Sequence, residues 1–174
     1  MAYEPTLLVQ RAWRTPPRCL SEVNATPLSN PPEGAAVFDE LGYFLVSCPC
    51  GSKEWHVVGH AHPEAGLLCP VTLQCAHCQR LAPIFDIEKH GYDAEFGHGC
   101  YSMRAEGPSG RFLCPQCSNN TFEVFPSFSY QIEPIEDMPE EAQSSVEDYF
   151  DGFNLDVRCS HCGVLENPVG YECA

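Results

Sequence analysis

The chain has 174 residues, of which 44% are hydrophobic and 11% aromatic, a composition typical of one ordinary globular domain or two small ones. Its 24 acidic and 9 basic residues give a formal net charge of −15, which opposes binding to nucleic acid or an anionic membrane and favours a basic partner. No stretch approaches the roughly 20 consecutive apolar residues that a membrane-spanning helix needs.

The first 35 residues are predicted to form a proline-rich N-terminal arm without a core of its own. Arginines at positions 11, 14 and 18 interrupt any apolar run, so this segment is not read as a secretory signal. We therefore expect a cytoplasmic, reducing location, where paired cysteines favour metal over disulfides. Leu7-Leu8-Val9 and Trp13 are compatible with a strand. The basic segment 11–14 suggests either a binding arm or an arm that Trp13 packs onto its own domain.

Short strands are predicted on both sides of a glycine-rich connector. In the first unit, residues 36–90, one strand ends at Ser47 and two more cover residues 54–58 and 71–74. A last strand covers residues 83–86. Residues 91–110 are dominated by turn residues and form the connector. Another unit spans 111–174, where residues 122–130 form a long strand that Pro126 places at a sheet edge or a bulge.

An acidic insertion lies in the C-terminal unit. Between residues 133 and 156 the sequence has nine carboxylates and no lysine or arginine. Asp137 and Glu140 fit a capping box, and Gly152 stands where a helix would end. The apolar positions 142, 146, 149 and 150 share one helical face. We predict a short amphipathic helix from Pro139 to Phe150, whose acidic face serves either a basic partner or solubility.

Eight of the twelve cysteines form four close pairs: Cys48 and Cys50, Cys75 and Cys78, Cys114 and Cys117, and Cys159 and Cys162. Five residues after Cys50 and after Cys117 the chain has an aromatic residue, and a valine follows two positions later. The order of pair, strand and pair occurs twice. This self-similarity indicates an internal duplication in which each half holds one metal ion.

A tetrahedral zinc ion needs four ligands, and two cysteines in one tight turn can supply half of them. The predicted sets are the first two pairs and the last two pairs, so that two structural Zn²⁺ ions are expected. Four thiolates leave no open position for catalysis. Iron is the rival metal, but iron–sulfur clusters usually show denser cysteine runs. The Cys48-Pro49-Cys50 turn is one residue short, so this site is either functional with tight geometry or eroded.

These pairs resemble the knuckles of the zinc-ribbon (rubredoxin-like knuckle) superfamily. The resemblance implies a β-rich, zinc-stabilised fold of two tandem zinc-ribbon-like units, with the short helix inserted in the C-terminal one. The superfamily includes transcription factors, ribosomal and polymerase subunits and interaction modules, so it does not identify an activity.

Several further residues carry weaker signals. Cys69 could replace a ligand of the first site. It and the remaining cysteines, at 19, 100 and 173, are either tolerated thiols, or Cys69 or Cys100 forms a third site with a histidine at 56, 60, 62 or 98. His77 and His161 are expected to form hydrogen bonds rather than to bind metal. Asp86, His90, Tyr92 and Asp93 could act as acids or bases, yet a turn that uses them for backbone hydrogen bonds accounts for them.

The sequence favours a non-enzymatic zinc-binding interaction module that presents an acidic face to a basic partner, as an inhibitor or immunity-type protein does. No catalytic fingerprint is present. The alternative is a transcription-associated or nucleic-acid-binding zinc ribbon protein, although its nine basic residues are scattered. A zinc store or redox sensor would instead use the spare cysteines.

Overall fold

Nine antiparallel strands form one curled sheet in the computed structural model, which describes residues 5–35, 41–63, 66–91, 105 and 108–172. The strands are β1 (Asn24–Leu28), β2 (Leu41–Ser47), β3 (Trp55–His62), β4 (Gly66–Cys75), β5 (Leu81–Phe85), β6 (Gly110–Arg111), β7 (Phe122–Ser129), β8 (Gly152–Cys159) and β9 (Leu165–Glu172). The helices are α1 (Leu7–Arg14) and α2 (Ile132–Glu136), with 3₁₀ helices at Arg18–Leu20 and Gln143–Asp148. The predicted β-rich class is confirmed. No helix of the described ranges is long and apolar enough to cross a membrane.

The strand β7 is the centre of the sheet. Its whole length pairs with β8, while β2 and the first residue of β3 share its other edge. The predicted long strand is therefore confirmed, but its placement at a sheet edge or a bulge is wrong, since it pairs with β8 without a register shift. Pro126 is tolerated because the pairing with β2 ends one residue away, at Tyr43 and Ser127.

The sheet curls until strands from its two ends pack face to face. The rings of Phe85 on β5 and Phe153 on β8 stack with centroids 4.2 Å apart. The backbone N–H of Cys69 on β4 donates a hydrogen bond of 2.6 Å to the hydroxyl of Tyr171 on β9. Burial alternates perfectly along β4, as a strand with one face on the core requires. The two halves of the chain consequently share one core.

The N-terminal segment contains a helix where a strand was the predicted option. Thr6 caps α1 by accepting a hydrogen bond from the N–H of Val9. Val9 and Ala12 are fully buried, three residues apart on one helical face. The helix lies so close to β2 that a Cβ atom on Gly42 would meet the carbonyl oxygen of Trp13 at 2.8 Å. This segment therefore contributes to the core through α1 and to the sheet through β1.

The helix predicted from Pro139 to Phe150 is wrong. The chain instead forms the five-residue α2 before it and a 3₁₀ helix over Gln143–Asp148, in which Ser145 has non-helical φ and ψ of −131° and 34°. Asp137, the predicted N-terminal cap, is the C-terminal cap of α2. Crowded carboxylates repel one another along a regular helix, and a short helix gains little from its own hydrogen bonds. The apolar side chains of Val146 and Phe150 are nevertheless buried, as their pattern predicts.

Candidate metal centres

The first two cysteine pairs come together where β2 and β4 end. Cys48 follows the last residue of β2, and Cys75 is the last residue of β4. The Sγ atoms of Cys48 and Cys78 are 3.5 Å apart, and those of Cys50 and Cys75 are 3.6 Å apart. All four Sγ atoms lie within 4.8 Å of one another. Cys48 and Cys75 are buried and the other two are exposed, so this tetrad sits at the protein surface.

The last two pairs form a second tetrad with the same arrangement. The Sγ atoms of Cys114 and Cys162 are 3.6 Å apart, and those of Cys117 and Cys159 are 3.5 Å apart. These four also lie within 4.8 Å of one another. In each tetrad the first cysteine of one pair is therefore next to the second cysteine of the other.

The short turn at Cys48 is a C-x-x-C turn with one residue removed. In the three longer turns the N–H of the residue after the second cysteine donates to the carbonyl of the first cysteine, at 2.8 to 3.0 Å. Gly51 makes the same bond to Cys48 at 2.8 Å. The residue in this position has positive φ in all four turns: Gly51, Gln79, Ser118 and Gly163. The missing residue thus shortens the turn by one position, while the closing hydrogen bond and the positive φ are kept.

Adding a side chain at Gly163 is expected to destabilise the second tetrad by about 1–2 kcal/mol, because φ is +75° there. A Cβ atom at this position would contact nothing within 4 Å, so backbone strain alone is tested. Gly163→Ala should lower the midpoint of thermal unfolding. The matched control is Gly110→Ala, which also has open space and no positive φ. An equal effect of both substitutions would contradict the strain argument.

Hydrogen bonds from the turns decide which sulfurs ionise first. Burial raises the pKa of the Cys75 thiol, but the backbone N–H groups of Cys78 and His77 lower it more, to about 6. Cys159 behaves alike: burial raises its pKa, and the backbone N–H groups of the following turn with the side chain of Asn119 bring it to about 6. Burial and the neighbouring thiols raise the pKa of Cys48 to about 12. The four sulfurs of a tetrad therefore compete for negative charge.

A divalent cation would remove this competition, since it stabilises all four thiolates together. A tetrahedral ion with Zn–S bonds of about 2.3 Å would place its sulfurs about 3.8 Å apart. The closest contacts of 3.5 and 3.6 Å are near this value and far above the S–S bond of a disulfide, about 2.05 Å. The donor set is soft and fits zinc or iron. The two groups could each hold one metal ion.

Asn119 supports the second tetrad, and the sequence analysis did not identify it. Its side-chain N–H₂ donates to the sulfur of Cys159 at 3.4 Å and to the carbonyl of Thr121 at 2.8 Å. Spacing alone could not identify it, because the sulfur that it reaches lies 40 residues further along the chain. Ser52 follows Cys50 at the same spacing, but its hydroxyl hydrogen-bonds to the backbone of Glu54.

Asn119→Ala is expected to weaken metal binding at the second tetrad by about tenfold, because outer hydrogen bonds orient and stabilise thiolate ligands. Competition with a chelator should then show one weakened site and one unchanged site per chain. Ser52→Ala provides the control and should leave both sites unchanged. If Asn119→Ala left both affinities unchanged, its hydrogen bond would contribute only to the turn.

The other candidate residues lie elsewhere. Cys69 is buried in β4 away from the first tetrad, and Cys19 is buried as the middle residue of the 3₁₀ helix Arg18–Leu20. His56 hydrogen-bonds through Nδ1 to the carbonyl of Asn120 at 2.8 Å. His77 and His161 are exposed and belong to neither group of metal-ligating residues found in the described chain. His98, Cys100 and Cys173 lie outside the described residues.

Two of the four acid–base candidates form a turn. The backbone N–H of Asp86 donates to Nδ1 of His90 at 3.0 Å, and the carboxylate of Asp86 accepts the N–H of Glu88 at 3.2 Å. Burial lowers the pKa of His90. Tyr92 and Asp93, with most of the connector 91–110, lie outside the described residues.

No protein-family model, curated protein or solved structure matches this chain.

Proposed function

We propose that the two tetrads bind two structural Zn²⁺ ions and that the protein is a non-catalytic interaction module. The support for metal is the convergence of eight cysteines into two groups of four, with no disulfide among them. Four thiolates complete a tetrahedral shell and leave no position for a substrate. Displacing the metal with a thiol reagent in the presence of a zinc dye should release two ions per chain. Release of one ion would show that the shorter first turn has lost its site.

The strand registers support the internal duplication. Trp55 and Phe122, each five residues after a knuckle pair, are direct partners across β3 and β7. Trp55 also lies opposite Cys75, and Phe122 lies opposite Cys159. Beyond them Gln74 pairs with Leu81, and Arg158 pairs with Leu165. Corresponding residues of the two halves stand at the same number of positions from their cysteines, as expected for two copies of one unit.

The two proposed zinc ribbons exchange their first strands. The strand before Cys48, β2, pairs with β7 of the other half, and the short strand before Cys114, β6, pairs with β3. Val58 and Arg111 are partners where β3 pairs with β6, and Tyr43 and Ser127 are partners where β2 pairs with β7. The tandem units are therefore proposed to be interlocked rather than placed side by side.

We propose that the partner is a basic protein, such as a cationic enzyme masked by an inhibitor or immunity-type protein. The observation that carries this proposal is the acidic segment 133–141. It exposes five carboxylates in nine residues, with no basic residue from there to residue 156: Glu133, Glu136, Asp137, Glu140 and Glu141. Like charges this close repel one another, and a cationic surface would relieve the repulsion and accelerate association.

The basic residues support a protein partner over a nucleic acid. Arg11 of α1 donates to the carbonyls of Gln143 and Ser144 at 3.1 and 2.6 Å and pairs with Glu147 at 3.3 Å. Arg18 forms an ion pair with Asp148. Much of the positive charge of the N-terminal segment therefore faces the protein's own acidic insertion. A transcription-associated role through protein contacts remains the alternative.

Reversing the charges of Glu136, Asp137, Glu140 and Glu141 to lysine should leave the fold intact and abolish retention of the basic partner. Retention should fall because the substitutions remove the local negative potential that attracts a cationic partner. The measurement compares partners captured from a native lysate by the wild-type protein and the variant, with far-ultraviolet circular dichroism to monitor folding. A matched variant, Glu147→Lys with Asp148→Lys, should instead destabilise the docking of α1 by opposing two arginines. Equal capture by wild type and the four-lysine variant, or firm wild-type retention on heparin, would contradict the acidic-surface proposal.

A further inference from the structure

A polar cavity of about 310 Å³ lies on the sheet face that is turned away from the core. The strands β2, β7, β8 and β9 are adjacent in this order, and each contributes lining residues. Phe44, Phe128 and Leu155 belong to the core, so their neighbours along the strands point to the opposite face. Six lining residues are polar: Tyr43, Ser127, Asn154, Asp156, Glu166 and Asn167.

Strand register brings the floor of this cavity together. Ser127 is the direct partner of Tyr43 on one side and of Asn154 on the other. Asp156 follows Asn154 by two positions, so the two side chains share a face of β8. Opposite Asn154 the chain has Gly170, where a Cβ atom would come within 3.1 Å of the amide oxygen of Asn154. The floor is therefore built on paired strands, which hold its polar groups in fixed positions.

A β-bulge positions Asp156. The pairing of β8 with β9 shifts register between Leu155 and Val157, so that two residues of β9 oppose Asp156. One of these two is Asn167, whose side-chain amide donates a hydrogen bond of 2.9 Å to Oδ1 of Asp156. Bulges re-aim side chains and are frequent beside functional sites. Here the bulge leaves the second carboxylate oxygen of Asp156 to the cavity.

Two buried polar groups of the cavity lack partners within the described ranges. Asp156 is 7% exposed, with one hydrogen bond, from Asn167, and no ion pair. Ser127 is 1% exposed, and its hydroxyl makes no hydrogen bond to any described residue. Burial raises the pKa of the Asp156 carboxyl more than the bond from Asn167 lowers it. A buried carboxylate without a counter-ion is costly, so the cavity offers a place for a positive charge.

The lining selects the class of ligand. Asp156 and Glu166 are acidic, and none of the described lining residues is basic, which disfavours an anion. Groups of three or more metal-ligating residues occur in the described chain only as the two cysteine tetrads. The volume is at the lower end of the roughly 300–1,000 Å³ of small-molecule sites. Leu41 and Leu165 add apolar surface. A short aliphatic molecule with a positive charge fits these features.

We propose that this cavity binds a small organic cation, a primary ammonium compound with a short aliphatic body. The three N–H donors of an ammonium group match three acceptors on the floor: the free carboxylate oxygen of Asp156, the hydroxyl of Ser127 and the amide oxygen of Asn154. The aliphatic body contacts Leu41 and Leu165. This site depends neither on the metal centres nor on a basic partner protein.

The direct test titrates the full chain with n-butylammonium chloride and follows the side-chain amide signals of Asn154 and Asn167 by heteronuclear NMR. We expect saturable shifts of both signals, and no such shifts with n-butanol, which has a similar shape without the charge. Sodium chloride at matched ionic strength controls for general attraction to an acidic protein. Equal binding of n-butanol, or shifts that do not saturate, would overturn the proposal.

Substitutions locate the binding point. Asp156→Asn should weaken n-butylammonium binding about tenfold or more, because it removes the buried counter-charge, and Ser127→Ala should weaken it several-fold. The matched control is Glu54→Gln, which removes an exposed carboxylate outside the lining and should leave binding unchanged. Asp156→Asn should not lower the midpoint of thermal unfolding, since it removes an unpaired buried charge. Unchanged binding in both Asp156→Asn and Ser127→Ala would rule out this cavity.

Two competitors test the class of ligand. Calcium chloride at an equal concentration should not displace n-butylammonium, and displacement would assign the cavity to a metal ion. Nα-acetyl-lysine N-methylamide carries the same ammonium group on a bulkier body and should bind no more tightly than n-butylammonium. Tighter binding of this blocked lysine would assign the cavity to a side chain of a partner protein. Either result would overturn the proposal of a free small molecule.

Discussion

Replacing Cys117 by serine is expected to lower the stability of the whole chain, not only of its C-terminal half. A structural zinc ion contributes on the order of 10 kcal/mol to folding in small ribbons, which is comparable to the entire net stability of a domain, about 5–15 kcal/mol. Because β2 pairs with β7 and β6 pairs with β3, unfolding of one half removes strand partners from the other. We expect a large fall in the midpoint of thermal unfolding and one transition.

The position of the tryptophans makes this measurable. The chain has two tryptophans, Trp13 and Trp55, and both precede the C-terminal half. Their fluorescence should nevertheless change in the same transition as the far-ultraviolet signal when Cys117 is replaced. Cys50→Ser in the other tetrad should give a similar loss. Unchanged thermal stability of Cys117→Ser would show that the second tetrad is not a metal site, and separate transitions for the two signals would contradict the interlocked arrangement.

Trp55→Ala is expected to cost about 3–5 kcal/mol, the usual effect of emptying a large, fully buried aromatic position. Trp55 is 0% exposed and stands where β3 meets β7, opposite Phe122. Its indole N–H also donates to the carbonyl of Val46 on β2 at 3.2 Å, so that the substitution removes a buried hydrogen bond as well. Chemical denaturation followed by circular dichroism measures this loss.

Trp55→Phe is the matched control, since it keeps an aromatic ring and loses the hydrogen bond and part of the volume. We expect it to cost markedly less than Trp55→Ala. Replacing the exposed Leu113, which is 53% exposed beside Cys114, by alanine should have little effect. Equal effects of the substitutions at residues 55 and 113 would show that the contact between the halves does not stabilise the fold.

The sequence predicted the parts of the structure that depend on local spacing. The four cysteine pairs identified eight residues that the fold brings into two tetrads, because a knuckle is a tight turn whose geometry depends on a few adjacent residues. Strand positions likewise depend on short stretches of sequence. The position of β7 was predicted, since aromatic and β-branched residues bounded by turn residues indicate a strand over a short window.

Residues whose roles depend on distant partners were not predictable in this way. The segment at 7–14 is a helix because its face with Val9 and Ala12 finds a place on the core, and the sequence there is equally compatible with a strand. The acidic insertion does not form the predicted helix, and Arg11 and Arg18 instead hold its 3₁₀ helix against the N-terminal segment. The side chain of Asn119, which follows Cys117, donates to the sulfur of Cys159 in another knuckle, a contact that spacing alone does not reveal.

By itself, the sequence determined which cysteines pair within each turn and that the chain is β-rich. Only the tertiary structure decided that β2 and β6 each pair with the opposite half and that Trp55 faces Phe122. It also decided that Ile135 and Met138 are buried although they lie in the acidic insertion. The physical reason is the range of the forces. Turn geometry and ligand spacing act between neighbours in the chain, whereas strand pairing and burial join residues that only the complete fold brings together.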